Sequence, residues 1–229
     1  MAKRLGIIGG LGPMATAYFM ELIIKMTDAK TDQQHLEMII YNIPSIPDRT
    51  NFILGKSEEN PCPSLIAIGK KLEKEQTDYI AIPCITAHFF YSDLEKNISV
   101  PIIHIIRETI SEIKEKKVKK VGIMATNGTI EAALFQQELG DNQIEYCFPD
   151  KKNQEYVMDL IYRNIKAGQP IEYNKFESVT ENLKAQGAEI ILLGCTELSF
   201  IKKEKKIGKE FLDMLEVLAK KVVLLCQEL

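Results

Sequence analysis

Two cysteines stand in matching surroundings. "DYIAIPCITAHFF" (78–90) and "AEIILLGCTELSF" (188–200) each read as an apolar strand, then Pro or Gly, a Cys, and a Thr one or two residues later. Gly6 precedes Cys84 by 78 residues and Gly122 precedes Cys195 by 73. Open α/β sheets present ligands at the carboxyl ends of their strands, so two such lobes facing one another would set two thiols across one cleft. That pair suits the inversion of a carbon stereocentre. One group removes a proton from one face and its twin returns a proton to the other. A free thiol titrates near roughly 8.5, which makes thiol and thiolate both accessible near neutrality. Cys62, Cys147 and Cys226 lack this setting and read as small apolar core residues.

The elements that must hold the thiols repeat. "KRLGIIGGLGP" (3–13) resembles "KKVGIMATNGT" (119–129): a basic pair, a buried strand and a turn of small residues. Strands are expected at Leu5–Ile8, Met38–Tyr41, Tyr79–Ile82, Ile102–Ile103, Val121–Met124, Glu145–Phe148 and Glu189–Leu193. Most are short, continuous and rich in Ile and Val, as in buried parallel sheets. Helices are expected at Ala15–Met26, Pro63–Glu75, Ile105–Lys116, Ile130–Leu139, Gln154–Ala167, Lys175–Gln186 and about 211–229. The last places Phe211, Leu215, Leu218, Val222 and Leu225 on one stripe. The alternation predicts an α/β fold with parallel sheets.

Composition narrows the function. The chain has 229 residues, 45% hydrophobic and 27% charged, enough for a sizeable core. A net charge of −3 points to neither nucleic acid nor an anionic membrane as partner. No apolar run approaches the roughly 20 residues of a membrane span, and the start does not read as a signal peptide. Five widely spaced cysteines without a CxxC argue against a disulfide framework or a zinc site. A cytoplasmic protein with reduced thiols is expected.

The glycine-rich turn "GGLGPMA" fits a dinucleotide fingerprint through Gly10, Gly12 and Ala15. The second strand, however, ends at Asn42 rather than at an acidic residue, and Pro13 removes a backbone donor. A carboxylate held by loop amides and a helix N-terminus is the better expectation. "PSIPDRT" carries Asp48 and Arg49, and a guanidinium fork suits a carboxylate, although a loop arginine is more often a surface charge. Thr86, Thr126, Thr129 and Thr196 are small donors on the turns, suited to an α-carboxylate. A structural and a functional role both stand open for His88. His35 and His104 show no motif.

The motifs "GIIGGLGP", "NIPSIPDRT", "ILGKSEENP", "IPCITAHFF", "ATNGTI", "IYRNIKAG" and "LGCTEL" together resemble the cofactor-independent aspartate/glutamate racemase family, especially its aspartate racemase branch, over almost the whole chain. The resemblance implies two similar three-layer α/β lobes with parallel four-stranded sheets, related by a pseudo-twofold axis, with the active site between them. Residues 1–103 plus 209–229 would form the lobe carrying Cys84, and residues 104–208 the lobe carrying Cys195. It implies Cys84 and Cys195 as the acid/base pair, with no pyridoxal phosphate and no metal. It adds Lys166 to Arg49 as a carboxylate ligand, Asp48 and Glu197 as supporting acids, and a homodimer. The implied substrate is a small dicarboxylic amino acid, aspartate or glutamate.

Departures from the family pattern bear on activity. The first motif usually reads Cys-Asn-Thr; here it is "CIT". If that Asn holds the substrate carboxylate, Ile85 forfeits a bond to a charged group worth about 1.5–3 kcal/mol. Leu11 replaces the common Met of "GGMGP", a volume-conserving change. Asn127 stands where a Thr is usual, and no Pro follows Asp213. Two alternatives therefore stand beside an aspartate racemase. One is a related hydantoin racemase or maleate isomerase; the other is a homologue that binds a small carboxylate without turnover.

Overall fold

The computed structural model describes residues 3–227. The first half runs β1 (Leu5–Gly9), α1 (Pro13–Met26), β2 (Met38–Asn42), α2 (Arg49–Ile53), α3 (Cys62–Lys74), β3 (Tyr79–Ala81), α4 (Tyr91–Asn97) and α5 (Ile105–Glu115). The second half runs β4 (Lys120–Met124), α6 (Asn127–Glu131), α7 (Gln136–Asp141), β5 (Glu145–Cys147), α8 (Lys151–Met158), α9 (Tyr173–Ala185), β6 (Ile190–Leu193), α10 (Ser199–Glu204), β7 (Phe211–Asp213) and α11 (Met214–Cys226).

The strands form two parallel sheets, ordered β2-β1-β3 and β5-β4-β6-β7. Each half centres its first strand between its second and third, so the repeat in the sequence is a repeat in the fold. The equivalent glycines hold equivalent places: Gly6 lies between Ile39 and Ile80, Gly122 between Cys147 and Ile191.

Apolar residues on the strands alternate between faces and build a stack of layers. Ile8, Ile80 and Ile82 pack with Leu65, Ile68 and Leu72 of α3 on one side. Leu5 and Ile7 face the other way, into a core shared by α1, α5 and α11 that continues to Val121 and Ile123 of the second sheet. Beyond that sheet, Met124, Ile191 and Leu193 pack with α8 and α9 through Val157, Val179 and Leu183. Both faces of each sheet are covered, which is why the strands read as unbroken apolar runs.

The expected four-stranded first sheet has three strands; the Ile102–Ile103 segment meets it only through a single bridge between Ile80 and Ile102. The expected helix at 211–229 is corrected at its start, and Glu228 and Leu229 lie outside the described residues. Phe211–Asp213 is a strand paired to β6, so it belongs to the second sheet rather than to the first lobe. Asp213 then caps α11 by accepting from the Leu215 amide at 2.9 Å, and Leu215, Leu218 and Val222 carry the apolar stripe into the shared core. The expected helix at Ile130–Leu139 is split into α6 and α7 by Ala133, which has φ of 53°. The one at Gln154–Ala167 loosens from α8 into a π-helical stretch, Asp159–Ile165.

Candidate active site

The carboxyl ends of the two sheets meet, and the sequence motifs converge there. Leu11, Asp48, Arg49, Cys84, Thr86, Thr126, Lys166, Cys195 and Glu197 line one small cleft, together with Thr50 and Tyr162. The thiols are 6% and 7% exposed, and the space between the lobes is about 10 Å³, room for about one water.

Cys84 lies between β3 and a 3₁₀ turn, Thr86–Phe90, that Ile85 opens. His88 steadies that turn. Its Nδ1 donates to the Cys84 carbonyl at 3.0 Å, and its Nε2 accepts from the Ile105 amide at 3.4 Å. With one nitrogen accepting, the ring is neutral, and burial lowers its pKa in the same sense. The open question about His88 resolves to a structural bond beneath Cys84. Cys195 follows β6, opening the turn Thr196–Leu198. Its Sγ donates to Glu197 Oε2 at 2.9 Å. Burial first, then the Glu197 charge, push the Cys195 thiol well above its ordinary value.

Glu197 is shared. Its Oε1 accepts from Lys166 Nζ at 2.5 Å, and both partners are largely covered. Burial works against the Lys166 charge, but Glu197 and then the two thiols raise its pKa above the ordinary lysine value. Gly12 makes this possible: a Cβ there would stand 2.5 Å from Glu197 Oε1. The glycine-rich turn thus admits a carboxylate and an ammonium from the other lobe. Gly10, with φ of 90°, is required because a Cβ would run into the backbone of Ile43. The Gly10 amide is taken by Thr16 Oγ1 at 2.9 Å, and the Leu11 carbonyl of the turn accepts from Arg49 and, at 3.5 Å, from Lys166.

Arg49 is buried at the start of α2. It donates from Nη2 to the Leu11 carbonyl at 2.6 Å and from Nη1 to the Pro47 carbonyl at 3.0 Å. Burial opposes its charge, while Cys84 and then Asp48 beside it raise its pKa. Asp48 caps α2 through the Asn51 amide at 2.8 Å and accepts from Tyr162 Oη at 3.2 Å. Burial, set against a bond with Thr50, pushes the Tyr162 phenol up, with Asp48 adding to it. Glu197 and Lys166 attend Cys195, and Arg49, with Asp48 beside it, faces Cys84.

The threonines form a second cluster across the lobes. Thr86 meets Thr129 at 2.9 Å and Thr126 at 3.2 Å, and Thr50 donates to Thr126 at 3.2 Å. A Cβ at Gly128 would stand 2.8 Å from Thr50 Cα, so that glycine sets how closely the halves approach. Thr196 instead donates to the Pro83 carbonyl at 3.2 Å, tying the two thiol-bearing turns together.

Ile85 departs from expectation. It is 2% exposed and packs in the shared core with Leu5, Ile7 and Ala81, not among the residues lining the cleft. In the 3₁₀ turn, residues after Cys84 point successively inward and toward the cleft, and the site falls to Thr86. Thr50 and Tyr162 were not anticipated. Both lay within quoted motifs: Thr50 follows Arg49, and Tyr162 lies one helical turn before Lys166, on the same face. Among the described residues, no group of three or more His, Cys, Asp or Glu side chains is placed to hold a metal, and no helix is long and apolar enough to cross a membrane.

Several proteins similar to this chain carry racemase names. The Asp/Glu/Hydantoin racemase family model matches residues 8–222. The broad specificity amino-acid racemase RacX of Bacillus subtilis is 30% identical over 225 residues, covering 96% of each chain. The aspartate racemase of Picrophilus torridus superposes with a TM-score of 0.87 at 31% identity, over 98% of this chain and 94% of that one. An aspartate racemase homologue from Pyrococcus horikoshii gives 0.79 at 26% identity, over 99% and 100%. The chain belongs to the Asp/Glu/Hydantoin racemase family.

Proposed function

We propose that this protein interconverts L- and D-aspartate without pyridoxal phosphate or metal, using Cys84 and Cys195 as a two-base pair. The observation that carries this reading is the convergence of the two thiols, from equivalent strand ends, on one closed cleft. In one direction Cys84, as thiolate, takes the α-proton while the Cys195 thiol delivers a proton to the opposite face. In the other the roles exchange. Glu197 holds the Cys195 proton on the sulfur until it is needed. The threonine cluster binds the α-carboxylate, over which the carbanion's charge spreads, and fixed donors are worth most there in a cleft closed to water. Arg49 and Lys166 take the side-chain carboxylate, Lys166 turning from Glu197 to the substrate. Leu11 packs against the bound molecule, and Asp48 orients Tyr162 and Arg49.

A cleft with room for about one water does not hold an amino acid as it stands. Binding requires the lobes to part, breaking contacts such as Thr50–Thr126 and Lys166 to the Leu11 carbonyl. Reclosure would then shed water around the reacting carbon.

The test is incubation of the reduced protein in D2O with L- and D-aspartate. The reading predicts deuterium at Cα together with inversion. A melting temperature raised by aspartate with no exchange would identify a binding homologue instead. Activity confined to hydantoins or to maleate would identify a related isomerase.

A further inference from the structure

The cleft does not end at its charged residues. Beyond Arg49, Asp48, Lys166 and Glu197 it opens into an outer cavity of about 330 Å³, which shares those four residues and Leu11 with the thiol cleft. The outer walls are apolar. Met14, Pro44 and Ile46 come from one lobe, Ile165 and Phe200 from the other. The α-carbon of a substrate must lie between the thiols, so a side chain leaving it toward Arg49 and Lys166 points into this space.

The charges at the neck are already matched. Lys166 is paired to Glu197 at 2.5 Å, and Arg49 is held by the Leu11 and Pro47 carbonyls with Asp48 beside it. Two cations face two carboxylates, and a working thiolate adds one more negative charge. A zwitterion with an uncharged side chain leaves that balance alone. Aspartate gains Arg49 and Lys166 only by drawing Lys166 off Glu197, and its single methylene and carboxylate end at the neck with the apolar walls untouched. A longer apolar side chain covers those walls, and each methylene withdrawn from water strengthens binding about fourfold.

We infer that the site accepts α-amino acids with long uncharged side chains, of the methionine, leucine and phenylalanine class, threading the side chain between Arg49 and Lys166 into the outer cavity. This rests on the two-thiol racemase reading. The chemistry is unchanged: the α-proton goes to one sulfur and a proton returns from the other. What changes is the specificity-determining surface, which moves outward to Met14, Ile165 and Phe200.

The experiment measures α-proton exchange and inversion in D2O for L-alanine, L-methionine, L-phenylalanine and L-aspartate, on the intact protein and on Met14→Glu. Met14 is 64% exposed in the first turn of α1, where a carboxylate suits the helix and disturbs no core. The expected result is kcat/KM for methionine at least equal to that for aspartate and about tenfold above that for alanine. Met14→Glu should lower the methionine-to-alanine ratio at least fivefold. Exchange of aspartate without exchange of methionine or phenylalanine overturns the inference and leaves the racemase reading intact. A methionine-to-alanine ratio unmoved by Met14→Glu also overturns the placement of the side chain. Exchange of no amino acid overturns both.

Discussion

The Cys195 thiol donates to the carboxylate of Glu197, only two residues further along the chain, at 2.9 Å. The short turn after β6 folds acid and thiol onto each other, and the other oxygen of Glu197 is held by Lys166. Substitution of Glu197 by Gln removes the charge that keeps the Cys195 proton in place. With that charge gone, the Cys195 pKa falls, although burial still holds it up. Alkylation of Cys195 by iodoacetamide, followed by peptide mass spectrometry across pH, should therefore begin at lower pH in Glu197→Gln. Exchange turnover should drop about 10²-fold or more, because the Cys195 proton is no longer held on the sulfur for delivery. An unchanged alkylation profile would mean that Glu197 does not govern this thiol.

Gly12 admits Glu197 and Lys166 to the turn, since a Cβ would sit 2.5 Å from Glu197 Oε1 and 3.5 Å from Lys166 Nζ. Gly12→Ala should displace the Glu197 carboxylate, disturb its pairing with Lys166 and cut kcat at least tenfold. Far-ultraviolet circular dichroism should stay unchanged, because Gly12 precedes α1 rather than lying within it. Full activity in Gly12→Ala would show that the pair is free to relocate.

Ile85→Asn restores the residue usual in the family, yet Ile85 lies in the apolar core. Burying an amide there without partners costs about 1–3 kcal/mol. For a chain of this size that lowers Tm by roughly 2–12 °C. Exchange rates should not rise. A tenfold gain in rate with an unchanged Tm would show that residue 85 reaches the substrate after all.

Asp213 gives the protein a pH-dependent stability. Its carboxyl is fully buried, accepts from Ser199 Oγ at 2.7 Å and the Leu215 amide at 2.9 Å, and is raised by burial to about 6. The folded value lies above the unfolded one of about 3.9, so the native state holds the proton more tightly. The stabilisation is complete below about pH 4 and is lost as pH rises through about 6. The Tm difference between wild type and Asp213→Asn should shift against wild type from pH 4.5 to 7.5. A pH-independent difference would contradict this.

The sheets, their parallel sense and the equivalence of the two halves were legible because buried parallel strands leave short runs such as "LGIIG" and "IILL" in the sequence. β7 was not. Phe211 continues the spacing of the α11 stripe, and nothing local reveals that Asp213 is a cap with a strand before it. Thr86, Thr126, Arg49 and Lys166, which line the cleft, were legible through their motifs, whereas Thr129 and Thr196, drawn from the same motifs, fall outside its lining. Ile85 was misread because spacing along a 3₁₀ turn does not tell which side faces the cleft. Tyr162 was missed because its role depends on Asp48, 114 residues away, across the lobes.

In the proposed mechanism two thiols, and no other groups, move the α-proton. The most direct test is exchange in D2O with chiral analysis of L- and D-aspartate and L-methionine for Cys84→Ser, Cys195→Ser and Cys62→Ser. The two-base account predicts that either of the first two abolishes inversion in both directions. Cys62→Ser, at the first residue of α3 and away from the cleft, should remain active. Inversion at the normal rate in Cys84→Ser or Cys195→Ser would contradict the account.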